Sequence, residues 1–328
     1  MLGAAVWIGT NPANSPGRCQ RKTDRPLNKI SGEPMLTIRE LTKTYANGVN
    51  ALNNIFLEIP NGMFGLLGPN GAGKSSLMRT IATLQEPDTG SAMLDGIDIF
   101  REKEKLRQVL GYLPQEFGCY PRMSPEVMLN HFALLKGYVV KGERKDMVDH
   151  LLHQTNLWDV RKKSVDTFSG GMKQRFGIAQ ALIGSPKLVI VDEPTAGLDP
   201  SERNRFHNIL AELGENIVVI LSTHIVEDVS DLCPLMAIMG NGEILLYGET
   251  GQVLEKFRGL IWRKNIEMNL LEEYQKRYKV ISSHLVGGNR FIHIISEEAP
   301  GDGFEQIEAN LEDVYFATLK NSNISVTV

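Results

Sequence analysis

The spacing of hydrophobic positions changes several times along the chain, and each change marks a boundary. Residues 1–34 have no apolar period and are rich in Asn, Pro, Gly, Arg and Lys, which predicts a disordered N-terminal extension and makes Met35 the more natural start. From Leu36 the pattern takes on strand character, at Leu36 and Ile38 and then through Ala51 to Ile59. MFGLLG (Met63 to Gly68) is a short buried strand ending in glycine. A helix is predicted from Lys74, a strand near Ser91 to Leu94 and a charged helix near Arg101 to Val109. In GYLPQ, Gly111 to Gln115, the apolar part ends at a proline, which puts Gln115 on a loop.

Ser124 followed by Pro125 reads as an N-cap with proline at the first helical position, and Val127, Met128, Phe132 and Leu135 then recur at helical spacing. This opens a helical insertion, about residues 116–183, which continues through Asp146 to Thr155 and ends with a helix opening at Ser169. Two continuous β-branched runs follow, KLVIVDEP (Lys187 to Pro194) and NIVVILSTH (Asn216 to His224), with a helix from Ser201 to Leu213 between them. Runs without polar alternation belong to parallel strands covered on both faces, so the fold class is α/β with short crossovers. LMAIMGNGEILLYG (Leu235 to Gly248) is a hairpin turning at Asn241-Gly242, where the core of a 35–248 domain is expected to close. Residues 249–328 are expected to form a small accessory domain. In it, KVISSHLVGGNRFIHIIS is a second hairpin turning at Gly287-Gly288-Asn289, and LEDVYFATLK is a final amphipathic helix. There is no internal repeat.

Composition narrows the class. With 39 acidic against 35 basic residues the formal charge is -4, so no nucleic-acid partner held by broad electrostatics is expected. A hydrophobic share of 42% with 23% charged excludes collagen, wholesale disorder and a small disulfide-stapled scaffold. Cys19, Cys119 and Cys233 are widely spaced and form no CxxC, which suggests neither a disulfide framework nor a zinc site and fits a reducing cytosol. The longest apolar runs, such as Ile217 to Leu221, fall far short of the roughly 20 residues a membrane helix requires. The opening MLGAAVWIG has no preceding charge and is short for a signal sequence, so secretion is not expected.

The chemistry begins at GPNGAGKSS: Gly68, Pro69, Asn70, Gly71, Ala72, Gly73, Lys74, Ser75 and Ser76 match G-x-x-x-x-G-K-[ST] between a buried strand and a helix. Glycines let consecutive backbone N–H groups converge on phosphate, and the helix N-terminus adds its partial positive charge. Lys74 then reaches the β and γ phosphates, and the Ser75 hydroxyl is offered to Mg2+. In VIVDEP, Asp192 ends a buried strand, where it is suited to hold Mg2+ through water. Adjacent Glu193 is placed to orient an attacking water, although two carboxylates capping a strand is the bland alternative. In DTFSGGMKQRFGIAQAL, Ser169-Gly170-Gly171 opens a helix whose N-terminus is a second anion site, unless it is an ordinary glycine-containing cap. One nucleotide does not need two such helix ends from one chain, so a head-to-tail dimer is the economical reading.

Together these residues resemble the ATP-binding cassette (ABC) ATPases over about Leu36 to Gly248. The resemblance implies a P-loop parallel-sheet core with an N-terminal antiparallel β subdomain, a helical insertion and a small C-terminal α+β extension. It also implies ATP and Mg2+ as ligands, and ATP hydrolysis coupled to a separate multi-helix membrane permease, with the cassettes paired as a homodimer or with a related ABC ATPase. Residue by residue, Tyr45 in TKTYANG matches the aromatic that stacks on adenine. Gln115 matches the loop glutamine that senses the γ-phosphate and the metal and touches the transport partner. Asp199 in GLDP matches the loop crossing the dimer interface, and His224 in STH matches the switch histidine, which with Lys74, Gln115 and Glu193 makes up the expected catalytic set.

Two positions depart from the family signature Leu-Ser-Gly-Gly-Gln: Phe168 stands at its first position and Met172 at its last. The Ser-Gly-Gly-Met-Lys-Gln-Arg form and the final LEDVYFATLK resemble bacterial drug- and sodium-exporter cassettes, which implies a cytoplasmic subunit on the inner face of the plasma membrane. Phe117, Tyr120, Pro121 and Met123 form an aromatic and apolar cluster suited either to permease docking or to internal packing. The alternative of a soluble ABC ATPase acting on ribosomes or DNA is disfavoured by the single cassette and the lack of a long heptad stretch. An unrelated P-loop kinase would lack the Ser169 element and His224.

Overall fold

A computed structural model describes residues 35–115, 122–214 and 217–322, together with Glu33, Gly118, Tyr120 and Ile324. The expected disordered extension (save Glu33), Cys19, Cys119, Phe117 and Pro121 lie outside the described residues.

The chain opens with β1 (Leu36–Thr44), β2 (Asn50–Ile59), β3 (Gly62–Leu67), α1 (Lys74–Ile81), β4 (Thr89–Leu94), β5 (Ile97–Asp98), α2 (Lys103–Val109) and β6 (Leu110–Leu113). The helical insertion follows as α3 (Pro125–Leu135), α4 (Lys141–Gln154) and α5 (Gly170–Ala181). Then come β7 (Leu188–Asp192), α6 (Pro200–Leu213), β8 (Val218–Thr223), α7 (Val226–Leu232), β9 (Leu235–Gly240), β10 (Glu243–Glu249) and α8 (Thr250–Lys256). The last stretch holds β11 (Ile261–Ile266), α9 (Leu271–Arg277), β12 (Val280–Val286), β13 (Asn289–Ile295), β14 (Glu305–Gln306) and α10 (Leu311–Asn321).

These strands form three sheets. The central one has the order β10-β9-β3-β8-β7-β6, parallel except for β10, which returns antiparallel on β9. An antiparallel sheet, β2-β1-β4-β5, covers one face, and a C-terminal antiparallel sheet has the order β12-β13-β11-β14. Alternate residues of the central strands enter two cores. Leu188, Ile190, Val218 and Ile220 pack with the antiparallel sheet and α1, while Val189, Val191, Val219 and Leu221 pack with the helices on the other face. Because a strand's side chains alternate between faces, a strand covered on both sides must be apolar at every position, as these runs are.

Local chemistry sets the ends of the elements. Asn241 and Gly242 both have positive φ, 48° and 79°, as a two-residue hairpin turn with right-handed strand twist requires. Ser124 takes the extended N-cap conformation ahead of Pro125, but its side chain makes no cap bond; proline at the first position defines this start. Ser169 caps α5 through a bond from the Met172 amide at 3.3 Å.

Helix α10 returns to the central domain. Leu311, Val314, Tyr315 and Leu319 are buried in the same cluster as Val191, Leu221 and Met236. Its start is fixed by a reciprocal capping box between Asn310 and Asp313, and Asp313 also pairs with His293 Nδ1 of β13 at 2.7 Å. Among the described residues no helix is long and apolar enough to cross a membrane.

Candidate functional site

Four neighbouring parallel strands deliver the chemistry at their C-terminal ends. The P-loop follows β3, Glu193 follows β7, His224 follows β8, and Gln115 lies just past β6. The C-terminal edge of a parallel sheet is where open α/β folds bind ligands, because loops and helix N-termini converge there.

A cavity of about 730 Å³ opens at this edge, lined by Tyr45, Asn70 through Ser76, Gln115 and Glu193, with Val49, Asn50 and Ala51 at the start of β2 and Asn241 completing the wall. The P-loop can take this path only with glycine at 73. Its φ is 106°, and a Cβ there would lie 2.3 Å from the Ala51 carbonyl oxygen. The hairpin turn braces the loop from behind, with Gly242 N donating to Ala72 O at 2.9 Å and Asn53 N donating to Gly242 O at 2.8 Å.

Lys74 is buried, and its ammonium donates to Gly68 O at 2.7 Å and Pro69 O at 3.3 Å, so these two residues hold the lysine rather than line the cavity. The same ammonium lies 3.5 Å from Glu193 Oε1. Burial pushes the Lys74 pKa below its ordinary value, partly opposed by Glu193 and Asp192. The other Glu193 oxygen, Oε2, meets Gln115 Nε2 at 3.3 Å and His224 Nδ1 at 3.3 Å. Glu193 itself has φ 49°, the left-handed region that a glutamate rarely adopts, and strain of this kind concentrates at functional sites.

Behind Glu193, Asp192 is buried, and burial raises its pKa; the hydroxyls of Ser222 and Ser75 oppose that shift. Its Oδ1 nevertheless has no well-formed hydrogen bond among the described residues. An orphaned carboxylate oxygen beside the Ser75 hydroxyl fits a small hard cation. No group of three or more His, Cys, Asp or Glu side chains is placed to hold a metal among the described residues. One carboxylate and one hydroxyl suit Mg2+, which keeps most of its shell as water and substrate phosphate.

At the cavity mouth, the Tyr45 hydroxyl lies 3.0 Å from Ser76 Oγ and donates to Gln85 Oε1 at 3.0 Å. This anchors the ring, which is 37% exposed. Ser169, Gly170, Gly171 and Asp199 are not among the cavity's lining residues. Gly171 packs against a carboxylate, since a Cβ there would lie 2.3 Å from Glu202 Oε2. That oxygen pairs with the buried Arg175 of α5 at 3.2 Å. Asp199 caps α6, accepting from the Ser201 and Glu202 amides at 2.9 Å each, and these bonds with the Ser201 hydroxyl hold its pKa below the usual carboxylate value. Of the aromatic cluster after Gln115, Met123 packs on the core, while Tyr120 is 55% exposed with its ring 6.4 Å from that of Phe132.

Sequence reasoning missed Asn241 as part of the wall, although the turn holding it was legible. It also missed a buried polar cluster around Asp228, whose members are scattered from Thr195 to Asp228 and follow no motif.

The fold and site are those of a nucleotide-binding ATPase cassette. Residues 52–196 match the ABC transporter family. The chain is 32% identical over 296 residues to the ABC transporter ATP-binding protein YxlF of Bacillus subtilis, covering 86% of this chain and 98% of that protein. It is 34% identical over 227 residues to the linearmycin resistance ATP-binding protein LnrL of the same organism, covering 69% of this chain and 72% of that protein. It also resembles the solved dimeric post-hydrolysis state of the ATP-binding cassette MJ0796 bound to ADP and Pi, with a TM-score of 0.60 and 26% identity over 66% of this chain and 98% of that one. The chain belongs to the ABC transporter family as an ATP-binding cassette and ATPase.

Proposed function

We propose that two copies of this chain, or one copy and a related cassette, close head to tail on two ATP molecules and drive a separate membrane permease, as an exporter subunit on the cytoplasmic side. The observation that carries this reading is the convergence of Lys74, Gln115 and His224 on the two oxygens of Glu193 at the edge of the P-loop cavity. In the reading, the loop amides from Asn70 to Ser76 and the N-terminus of α1 hold the phosphates. Lys74 turns from Glu193 to the β and γ oxygens, and Tyr45 supports adenine. Ser75, Asp192 and Gln115 would hold Mg2+, which when bound neutralises charge on the transferring phosphoryl group. Glu193 orients and polarises the attacking water, and His224 contacts the γ-phosphate.

Ser169, Gly170 and Gly171 at the start of α5, with Asp199, serve the nucleotide of the opposite copy, which accounts for their position away from the cavity. The dimeric form of MJ0796 supports this arrangement. Linearmycin resistance in the name of LnrL supports the exporter assignment. For the permease, the insertion offers an apolar surface: Leu135 and Val139 are 73% and 75% exposed, and Tyr120 lies nearby in sequence, beyond Gln115. We read residues 35–248 as the cassette and 249–328 as an accessory unit docked through α10.

The test is a native-membrane pull-down with Glu193→Gln and ATP. Recovery of a polytopic membrane protein supports the transporter reading; recovery with ribosomes or DNA in the soluble fraction overturns it. Full turnover by Glu193→Gln would overturn the assignment of the water-polarising base.

A further inference from the structure

A fully enclosed carboxylate outside the nucleotide cavity is that of Asp228, in the first turn of α7, with no exposed surface. Four side chains from three other elements meet it. Arg203 Nε of α6 donates to Oδ1 at 2.8 Å, and His207 Nε2, one turn further along α6, lies 2.8 Å from the same oxygen. Oδ2 accepts from the Thr195 hydroxyl and, at 3.3 Å, from the Thr223 hydroxyl. Burial opposes ionisation of Asp228, but His207, Thr195 and Arg203 outweigh it and hold its pKa below the ordinary carboxylate value.

The sequence positions of these partners give the cluster its meaning. Thr195 is two residues past Glu193, and Thr223 immediately precedes His224. Both threonines are buried, so neither can exchange its bond for one to water without local opening. One carboxylate oxygen therefore ties together the two loops that carry Glu193 and His224, and the other ties both to the helix that Asp199 caps. Glu193 is strained at φ 49°, and a strained residue keeps its conformation only where its surroundings over-determine it. The Glu193 amide bonded to Ser222 O at 2.8 Å is one such restraint, and the Thr195–Asp228 bond is another.

We propose that Asp228 is a positioning residue for ATP hydrolysis, fixing the catalytic glutamate loop and the switch-histidine loop relative to each other and to α6. This rests on the roles given above to Glu193 and His224. Asp228 has no exposed surface and does not line the cavity, so it acts through the geometry of those two side chains. Displacements near 1 Å in a catalytic group cost up to about a hundredfold in rate, so loss of the carboxylate should act on turnover and leave nucleotide binding in place.

The experiment compares Asp228→Asn and Thr195→Val with wild type in the full chain, measuring kcat per folded chain and the Kd of a non-hydrolysable ATP analogue. Thr195→Val keeps the shape and removes one arm, so it carries the test should Asp228→Asn fail to fold. The expected result is kcat lower by about 10- to 100-fold for Asp228→Asn and about 3- to 10-fold for Thr195→Val, with Kd within about threefold. Combined with Glu193→Gln, Thr195→Val should cost no more than Glu193→Gln alone, because the Thr195 arm acts through that side chain. Unchanged kcat in both folded variants overturns the proposal, as does a Thr195→Val loss that multiplies fully on the Glu193→Gln background. If Glu193→Gln itself keeps full turnover, it is the reading of the site that has failed.

Discussion

Lys74 Nζ and Glu193 Oε1 face each other at 3.5 Å, both largely withdrawn from solvent, so the carboxylate already satisfies the ammonium proposed to bind phosphate. On the proposed reading, nucleotide binding exchanges this contact for one to phosphate. Glu193→Gln keeps the shape and removes the competing charge. Beyond losing about 10²- to 10⁴-fold in turnover, it should bind a non-hydrolysable ATP analogue about three- to tenfold more tightly. Isothermal titration of the two proteins checks this; equal or weaker affinity in the variant would show that the contact does not compete.

Asp192 is expected to destabilise the nucleotide-free chain at neutral pH. Its folded pKa lies above its ordinary value of 3.8, so the folded state binds the proton more tightly than the unfolded one. Its relative contribution to stability is fully present below that value and is lost as pH rises through the folded pKa. Asp192→Asn should therefore melt higher than wild type at pH 7 without nucleotide, by about 2–4 °C per kcal/mol recovered. The difference should shrink as pH falls toward 3.8. Melting curves over that range decide it, and a lower Tm for the variant at pH 7 would contradict the burial argument.

Gly171→Ala should be costly for a reason internal to one chain. The new methyl would press on the Glu202 carboxylate where it meets Arg175, a contact at 3.2 Å in a buried setting. A loss of about 1–3 kcal/mol is expected from overpacking and disturbance of the pair. Gly171→Ala combined with Glu202→Ala should cost less than the sum of the two, as neighbouring sites do. Strict additivity in denaturant titrations would place the strain elsewhere.

Leu319→Ala tests whether the last helix shares the cooperative core. Leu319 is fully buried among residues of the central sheet and its helices. The expected cost is about 2–5 kcal/mol, seen as a single unfolding transition moved to lower denaturant. Two separated transitions, with the ATPase core unmoved, would mean that α10 is only docked on it.

Much of this was legible because the signals are local. The P-loop lies within nine consecutive residues, and β7 and β8 are apolar through Val191 and Leu221 because alternate residues enter different cores. The Asn241-Gly242 turn declares itself by residue type. What stayed hidden depends on contacts distant along the chain. Asn241 lines the cavity because β10 folds back on β9 and brings the turn against the P-loop. The Asp228 cluster gathers side chains from the Thr195 loop, α6, β8 and α7, which no spacing rule joins. Met123 and Tyr120 are close in sequence, yet one packs inward and the other faces out, a choice settled by tertiary packing. Helices α7 and α9 have seven residues each, too short for the apolar period to stand out.

The brace behind the P-loop also bears on how the protein matures. Asn53 Nδ2 donates to Glu243 Oε1 at 2.6 Å across 190 positions of sequence, beside the turn whose amide bonds Ala72 O. Closing such a distant contact is slow, and it needs β9 to pair on β3 across the same span of chain. A nascent or refolding chain should thus possess its phosphate motif long before it can grip a nucleotide. The onset of ATP protection during refolding would serve as a clock for the arrival of the β9–β10 hairpin.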